Sequence, residues 1–329
     1  MKLVIAGGGW IVRDAGPYLS KWGWDVEAIC VTPNGVERAK GLAAKCGGSK
    51  VYTDYSRMLR EVEAETVYVA VPNHLHFSFA RQALEMGRNV ILEKPIASND
   101  REAGALAALA KEKGVFLYEA ISTAYQPNFA ALKQMLPEIG TVKLVTCNFS
   151  QYSSRYDAFR AGKIAPVFDR EQSGGALMDL NLYNLHWLMG LFGSPEQVRY
   201  LPNLERGVDT SGVLTLQYPG FQAVSIAAKD CGAPCRYVIQ GTKGYLMQET
   251  PANVCGEVIL HRNDGTEQRW DISTEHRLEA EFRAFARQME AGQLGACYDM
   301  LQRSLQVCRV QTQARLDAGI RFPADDEIF

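Results

Sequence analysis

Lys94 stands at the end of an apolar run, Asn89 to Leu92, where Glu93, Lys94 and Pro95 arrive together. A run too apolar to face water reads as a buried strand of a parallel sheet. The charges then fall at the sheet's carboxyl edge, where open α/β sheets bind ligands. A lysine there is a candidate reacting group, because an ammonium within hydrogen-bond reach can give or take a proton. The plainer alternative is a solvated strand-to-helix turn in which Pro95 keeps the next helix from starting early. A second set lies in GGALMDLNLYNLHWLMGLFG, residues 174 to 193. The pattern predicts a helix opened by Gly174-Gly175 and closed before Gly193. Asp179, Tyr183 and His186, at i, i+4 and i+7, share one of its faces. An apolar helix rarely carries three titratable groups on one stripe without a use for them, although for His186 alone a satisfied core histidine is the better reading.

The elements that must position these groups begin at the amino end. Lys2 to Ala6 is a short apolar strand, Gly7, Gly8 and Gly9 break it, and a helical run follows from Trp10 to Ser20. Strand, glycines and helix make a phosphate cradle: unpaired N–H groups at the helix start attract anions, and glycine lets the backbone come close. Gly7 and Gly9 fit the first two positions of G-x-G-x-x-G, and Val12 stands at the third. Asp25 to Val31 is a second strand, after which the dinucleotide pattern wants an acidic residue for the ribose 2′-hydroxyl; the chain offers Thr32 instead. A hydroxyl there removes the repulsion toward a 2′-phosphate, and Arg38 lies on the next helix, so the reading leans to NADP over NAD. Arg38 as one more solvated helix charge is the competing reading.

Thr66 to Val71 is a further buried strand, ending in Pro72-Asn73-His74-Leu75-His76. Asn73 and His76 sit at the same sheet edge. Two histidines at i and i+2 lack a carboxylate or cysteine at ligand spacing, so no metal site is expected. Asn73 reads as the cap of the following helix, with one imidazole toward a nicotinamide. The β-α alternation continues to a sixth parallel strand at Val115 to Glu119, which makes one doubly wound domain over residues 1–120. Residues 121–329 change rhythm: one helix at Asn128 to Leu136, then long alternating strands from 141–152 to 266–272, joined by turns such as Pro219-Gly220, and two late helices near 275–292 and 299–318. That pattern predicts an α+β domain with a large, mainly antiparallel sheet.

The totals narrow the function classes. With 35 Lys+Arg against 37 Asp+Glu and a net charge of -2, no basic field exists for a phosphate backbone, and nucleic acid is not an expected partner. No stretch approaches the apolar length of a membrane span, and no leader pattern precedes the first strand. Eight cysteines, at 30, 46, 147, 231, 235, 255, 297 and 308, form no C-x-x-C pair. Reduced thiols in a cytoplasmic protein are the expectation.

Together, GGGWIV at 7 to 12, VPNHLH at 71 to 76, EKP at 93 to 95 and GGALMDLNLY at 174 to 183 resemble the Gfo/Idh/MocA family of oxidoreductases, across the whole chain. The nearest likeness is to its dihydrodiol, xylose and glucose-fructose oxidoreductase branch, whose helix carries Asp and Tyr four residues apart. The resemblance implies a Rossmann domain, a second domain with an open antiparallel sheet, a bound nicotinamide cofactor, sugar-like or polyol substrates, and a homodimer or homotetramer formed through the open sheet. It also implies that Lys94 is the active-site lysine, preceding a cis Pro95, with Asp179 its carboxylate partner and Tyr183 at the usual Tyr or His position. Gly7, Gly9, Trp10, Ile11, Thr32, Arg38, Val71, Pro72, Asn73, His76, Glu93 and Lys94 are then the cofactor-binding set. Arg155 and His186 join Lys94, Asp179 and Tyr183 in holding substrate oxygens.

Hydride transfer fits these types: a substrate hydroxyl must lose a proton as its C–H leaves, or a carbonyl must gain one, and Lys94 or Tyr183 can serve. Val12, Thr32, Ala124 and Asn181 depart from the family pattern, the first two in the cofactor region and the last two near the substrate. Two other functions share this scaffold, a cofactor- or metabolite-sensing regulator and a nonredox lyase or hydrolase that reuses a tightly bound NAD. Lys94, Asp179 and Tyr183 favour catalysis, because a sensor needs only the pocket.

Overall fold

A computed structural model of the 329-residue chain describes residues 1–272 and 274–327. It divides into two compact units, Met1–Ala120 with Glu281–Leu305, and Ile121–Ala280 with Gln306–Phe329. In the first unit β1 (Lys2–Ala6), α1 (Trp10–Ala15), β2 (Asp25–Cys30), α2 (Val36–Lys45), β3 (Lys50–Tyr52), α3 (Tyr55–Glu61), β4 (Thr66–Val69), α4 (His76–Glu85), β5 (Asn89–Glu93), α5 (Asp100–Lys113) and β6 (Leu117–Ala120) alternate. The sheet order is β3-β2-β1-β4-β5-β6, and every neighbouring pair is parallel. Its central strands are apolar without alternation because helices cover both faces, and Leu3, Ile5, Val67, Val90 and Ile91 are fully buried. Strand order reverses between β1 and β4, which opens a crevice at their carboxyl ends.

Local chemistry sets the helix ends. The Asn99 side chain accepts the Glu102 N–H to start α5, and Gly114, at φ 64°, ends it in the left-handed conformation. The first helix is shorter than its pattern predicts. Pro17 has no N–H for an α-helical bond, so α1 stops at Ala15 and Gly16–Trp22 continues as a 3-10 turn. The segment 281–305, which the sequence pattern groups with the second domain, lies in the first unit. Phe282 sets its ring edge-on to Tyr68 at 5.3 Å and accepts the Trp24 indole N–H on its carbonyl at 3.0 Å, and Phe285 stacks on Tyr118 at 4.4 Å. Burial of two phenylalanines against the parallel sheet outweighs their distance along the chain.

The second unit contains α6 (Pro127–Met135), β7 (Val142–Ser150), α7 (Tyr156–Arg160), α8 (Leu182–Phe192) and seven further strands. These are β8 (Gln197–Glu205), β9 (Val208–Tyr218), β10 (Phe221–Ala228), β11 (Arg236–Gly241), β12 (Gly244–Gln248), β13 (Val258–Arg262) and β14 (Glu267–Trp270). They form one sheet ordered β14-β13-β12-β11-β7-β10-β9-β8. All neighbours are antiparallel except β10 and β7, whose parallel pairing makes the sheet mixed. The chain then runs through α9 (Glu279–Glu290) and α10 (Leu294–Asp317), the latter passing from the first unit into the second. One sheet face packs Val145, Phe149, Leu214, Leu216, Tyr237 and Leu246 against Phe129, Leu185, Trp187, Leu188 and Val310 from the helices. The other face carries apolar side chains into solvent: Leu144 is 49% exposed, Leu201 51%, and Ile226 36%.

Candidate functional site

The crevice between β1 and β4 is a cleft of about 570 Å³. Gly7, Gly8, Gly9, Thr32, Arg38, Val71 and Pro72 line it together with Arg13, Tyr55, Leu75 and Phe79. The glycines divide the work. Gly7 has φ +120°, and a Cβ on it would lie 2.2 Å from the Ala70 carbonyl oxygen, so this turn passes β4 closely only as glycine. A Cβ on Gly9 would meet no atom within 4 Å, so at Gly9 the backbone is bare toward open space. That is the room a pyrophosphate needs beside the first amides of α1. Tyr55 packs against Phe79 with the rings tilted by 30° and their centroids 4.5 Å apart, and donates its hydroxyl to the Phe79 carbonyl, an aromatic wall suited to a planar base. The lining contains two arginines and no carboxylate. These residues fit a nicotinamide dinucleotide. Arg13, Tyr55 and Phe79 lay outside the sequence reading, and only the arginine, four residues beyond Gly9, offered a signal.

The remaining proposed cofactor residues, Trp10, Ile11, Asn73, His76, Glu93 and Lys94, are not part of this lining among the described residues. Trp10 starts α1 and is 57% exposed. Asn73 lies in a 3-10 turn, and α4 starts at His76 behind Leu75, so Asn73 does not occupy the predicted cap position. His76 is buried with both ring nitrogens on backbone oxygens, Nδ1 to Pro95 at 2.7 Å and Nε2 to Val71 at 3.0 Å. Burial pushes its pKa down against those two carbonyls. The neutral imidazole donates its one N–H to one of these carbonyls and packs against the other, between the segments that follow β4 and β5 and beside the turn that carries Lys94. Lys94 is half-buried, and its peptide bond to Pro95 is cis. Tyr68 donates its hydroxyl to Glu93 at 2.5 Å, and Glu119, at the end of β6, accepts the Ile96 N–H at 2.9 Å.

In the second unit the Gly-Gly stretch opens a helix of two kinds, π-helical over Leu177–Asn181 and α-helical from Leu182. A turn closed by i→i+5 bonds holds more residues than an α-turn, so Asp179 and Tyr183, four apart, come close to one full rotation. His186 is buried in α8, and Tyr183 is 7% exposed with its ring 6.0 Å from Phe149. Arg155 lies at the start of α7 and is exposed.

What holds the π turn comes from distant strands. A Cβ on Gly175, at φ +121°, would sit 2.0 Å from Asp209 Oδ1 of β9. Asp209 Oδ2 accepts the Leu177 N–H and the Tyr200 hydroxyl, both at 2.7 Å. Burial raises the Asp209 pKa to about 6, against the lowering effects of those hydrogen bonds and of Lys229. Ser225 donates to Asn181 Oδ1, Asn184 donates to the Ile226 carbonyl, and Tyr237 donates to Asn184, fixing the turn on β10 and β11. Lys229 forms an ion pair with Asp179. Among the described residues no group of three or more His, Cys, Asp and Glu could hold a metal, and no helix is long and apolar enough to cross a membrane.

Residues 1–121 match the family model described as an oxidoreductase family with an NAD-binding Rossmann fold, and residues 129–247 match the GFO/IDH/MocA C-terminal domain. The chain is 34% identical over 304 residues to scyllo-inositol 2-dehydrogenase (NADP(+)) IolU of Bacillus subtilis, covering 92% of each. It is 28% identical over 254 residues to trans-1,2-dihydrobenzene-1,2-diol dehydrogenase of Xenopus tropicalis, covering 75% of this chain and 74% of that one. The crystal structure of KijD10, a 3-ketoreductase from Actinomadura kijaniata in complex with NADP and TDP-benzene, shares the fold, with TM-score 0.84, 21% identity and 98% of each chain covered.

Proposed function

The chain belongs to the Gfo/Idh/MocA family of NAD(P)-dependent oxidoreductases, and we propose that it interconverts a hydroxyl and a carbonyl on a sugar, a polyol or a cyclic relative. The observation that carries the reading is the pairing of a glycine cradle for a dinucleotide with a lysine at the carboxyl edge of the same sheet. Two relatives bear on the substrate: the 34% identical protein is named for an inositol and the 28% identical one for a cyclic diol. The nicotinamide, when bound, supplies or accepts the hydride. The chain's own part is to bind the substrate oxygen and to move its proton. Lys94 Nζ or the Tyr183 hydroxyl takes the proton from a hydroxyl or returns it to a carbonyl, Asp179 orients the ammonium or the substrate, and Arg155 and His186 hold further oxygens.

Thr32, Arg13 and Arg38 in the cleft support NADP as the preferred cofactor, because two guanidinium groups and no carboxylate favour a 2′-phosphate. The exposed apolar side chains on the open sheet face, Leu144, Leu201 and Ile226, support a homodimer or homotetramer formed through it. Eight free cysteines accord with a reducing cytoplasm.

The test is turnover of a sugar, inositol and cyclic-diol panel with NADPH or NADP, comparing the wild type with Lys94→Ala. The variant should lose turnover by about three orders of magnitude, within the usual reach of proton-transfer catalysis, while retaining NADPH affinity. Wild-type inactivity across the panel, or full turnover in the variant, would overturn the reading.

A further inference from the structure

Lys229 belongs to no motif in the sequence, yet its surroundings are built. It follows the last residue of β10, its amide donates to the Thr210 carbonyl at 2.8 Å, and its carbonyl accepts the Ser153 N–H at 2.9 Å. Its side chain is 4% exposed, reaches Asp179 Oδ2 and passes 5.1 Å from the centre of the Phe168 ring. Two carboxylates lie near it, Asp179 on the π turn and Asp209 on β9, while Asp230, next in sequence, accepts the Thr210 and Ser211 hydroxyls on its Oδ2. A buried ion pair gains little stability over an apolar pair of the same shape, because two charges lose their water. What such a pair does supply is a fixed orientation.

We propose that Lys229 is a positioning residue for the reaction: it holds Asp179 Oδ2 in an ion pair and so fixes the plane in which the carboxylate faces the substrate. The proposal rests on the role given to Asp179 above. The Asp179 side chain is 24% exposed and the Lys229 side chain 4%, so the buried ammonium is the fixed member of the pair and the carboxylate the one it orients. The pair joins the end of β10 to the only π-helical turn among the described residues, and π turns recur at functional sites.

The experiment uses the full chain with 13C-labelled aspartate carboxyl carbons, with Asp179 assigned through Asp179→Asn. In Lys229→Met the Asp179 midpoint should rise by about one to three pH units, the size of effect an adjacent cation has on a carboxylate, and Lys229→Arg should restore most of it. On the substrate panel Lys229→Met should lower kcat by about a hundredfold, the cost of a misplaced reacting group, leave the KM for NADPH unchanged and carry the acid limb of the rate profile upward with the Asp179 midpoint. An unchanged midpoint, or unchanged kcat and acid limb in an active enzyme, would overturn the proposal. If Lys229→Met does not fold, Asp179→Asn gives the reciprocal reading. Slow exchange of the Lys229 Nζ protons in the wild type should become fast in the variant, and persistence of slow exchange would overturn the pairing. A wild type inactive on the whole panel would defeat the oxidoreductase reading instead, and the carboxyl titration would still decide whether Lys229 controls Asp179.

Discussion

Asp209 makes the stability of the second unit depend on pH in a direction opposite to that of an ordinary surface carboxylate. It is 1% exposed, with its pKa raised from 3.8 to about 6 chiefly by burial. Between those values the folded chain holds a proton that the unfolded chain has released, so stability falls as pH rises. The contribution is complete below the unfolded value and gone once pH has passed the folded one. A rise of about two units at 1.36 kcal/mol each corresponds to about 3 kcal/mol. In Asp209→Asn the side chain stays neutral throughout and its oxygen can still accept the Leu177 N–H and the Tyr200 hydroxyl. Urea unfolding of both proteins at several values from about pH 4 to pH 7 isolates the term, because the other titrations cancel in the difference. The wild type should lose about 2 kcal/mol relative to Asp209→Asn across that range, the part of the total that falls above pH 4. A constant difference, or a wild type that gains on Asp209→Asn with rising pH, would refute the assignment of a buried, costly carboxylate to Asp209.

The two cleft glycines should separate folding from binding. Gly7→Ala forces a Cβ to 2.2 Å from the Ala70 oxygen at positive φ and should cost about 2 kcal/mol or more, read as a lower Tm, whereas Gly9→Ala meets nothing and should keep its Tm while weakening NADPH in a fluorescence titration. Arg38→Ala should weaken NADPH about tenfold, the worth of one charge-assisted hydrogen bond at an exposed site, and leave NADH unchanged; equal losses for both would remove Arg38 from 2′-phosphate recognition. If the proposed dimer or tetramer forms through the open sheet face, Ile226→Glu should leave a monomer in sedimentation velocity where the wild type sediments as an oligomer, without lowering the Tm of the chain.

The sequence makes legible whatever depends on near neighbours. Buried strands of the first unit announce themselves because a sheet covered on both faces needs unbroken apolar runs, and Asn99 and Gly114 mark the ends of α5 because capping is local. What escapes depends on register between distant strands. Gly174 and Gly175 are legible as the opening of a helix, but the reason Gly175 must be glycine is an oxygen of Asp209, 34 residues on, brought underneath by β9. His76 reads as a ligand-facing imidazole at a strand end until the fold shows its ring buried between the Pro95 and Val71 carbonyls. The phenylalanines of α9 look like part of the second domain because nothing near them names Tyr68 or Tyr118 as partners.

Lys229 did leave a trace. In β10 Ala223, Ser225 and Ala227 alternate inward, Ala228 is buried as well at the strand's end, and residue 229 continues the parity of the first three. A lysine on the buried parity of an alternating strand requires a partner nearby, because an unpaired buried ammonium is too costly to keep. Alternation alone therefore asks for a partner, and the facing helix of this unit supplies Asp179. The carboxylate that the family resemblance assigns to Lys94 is thus also paired with a lysine in its own unit, so on the proposal above β10 helps to orient the group that the helix bears.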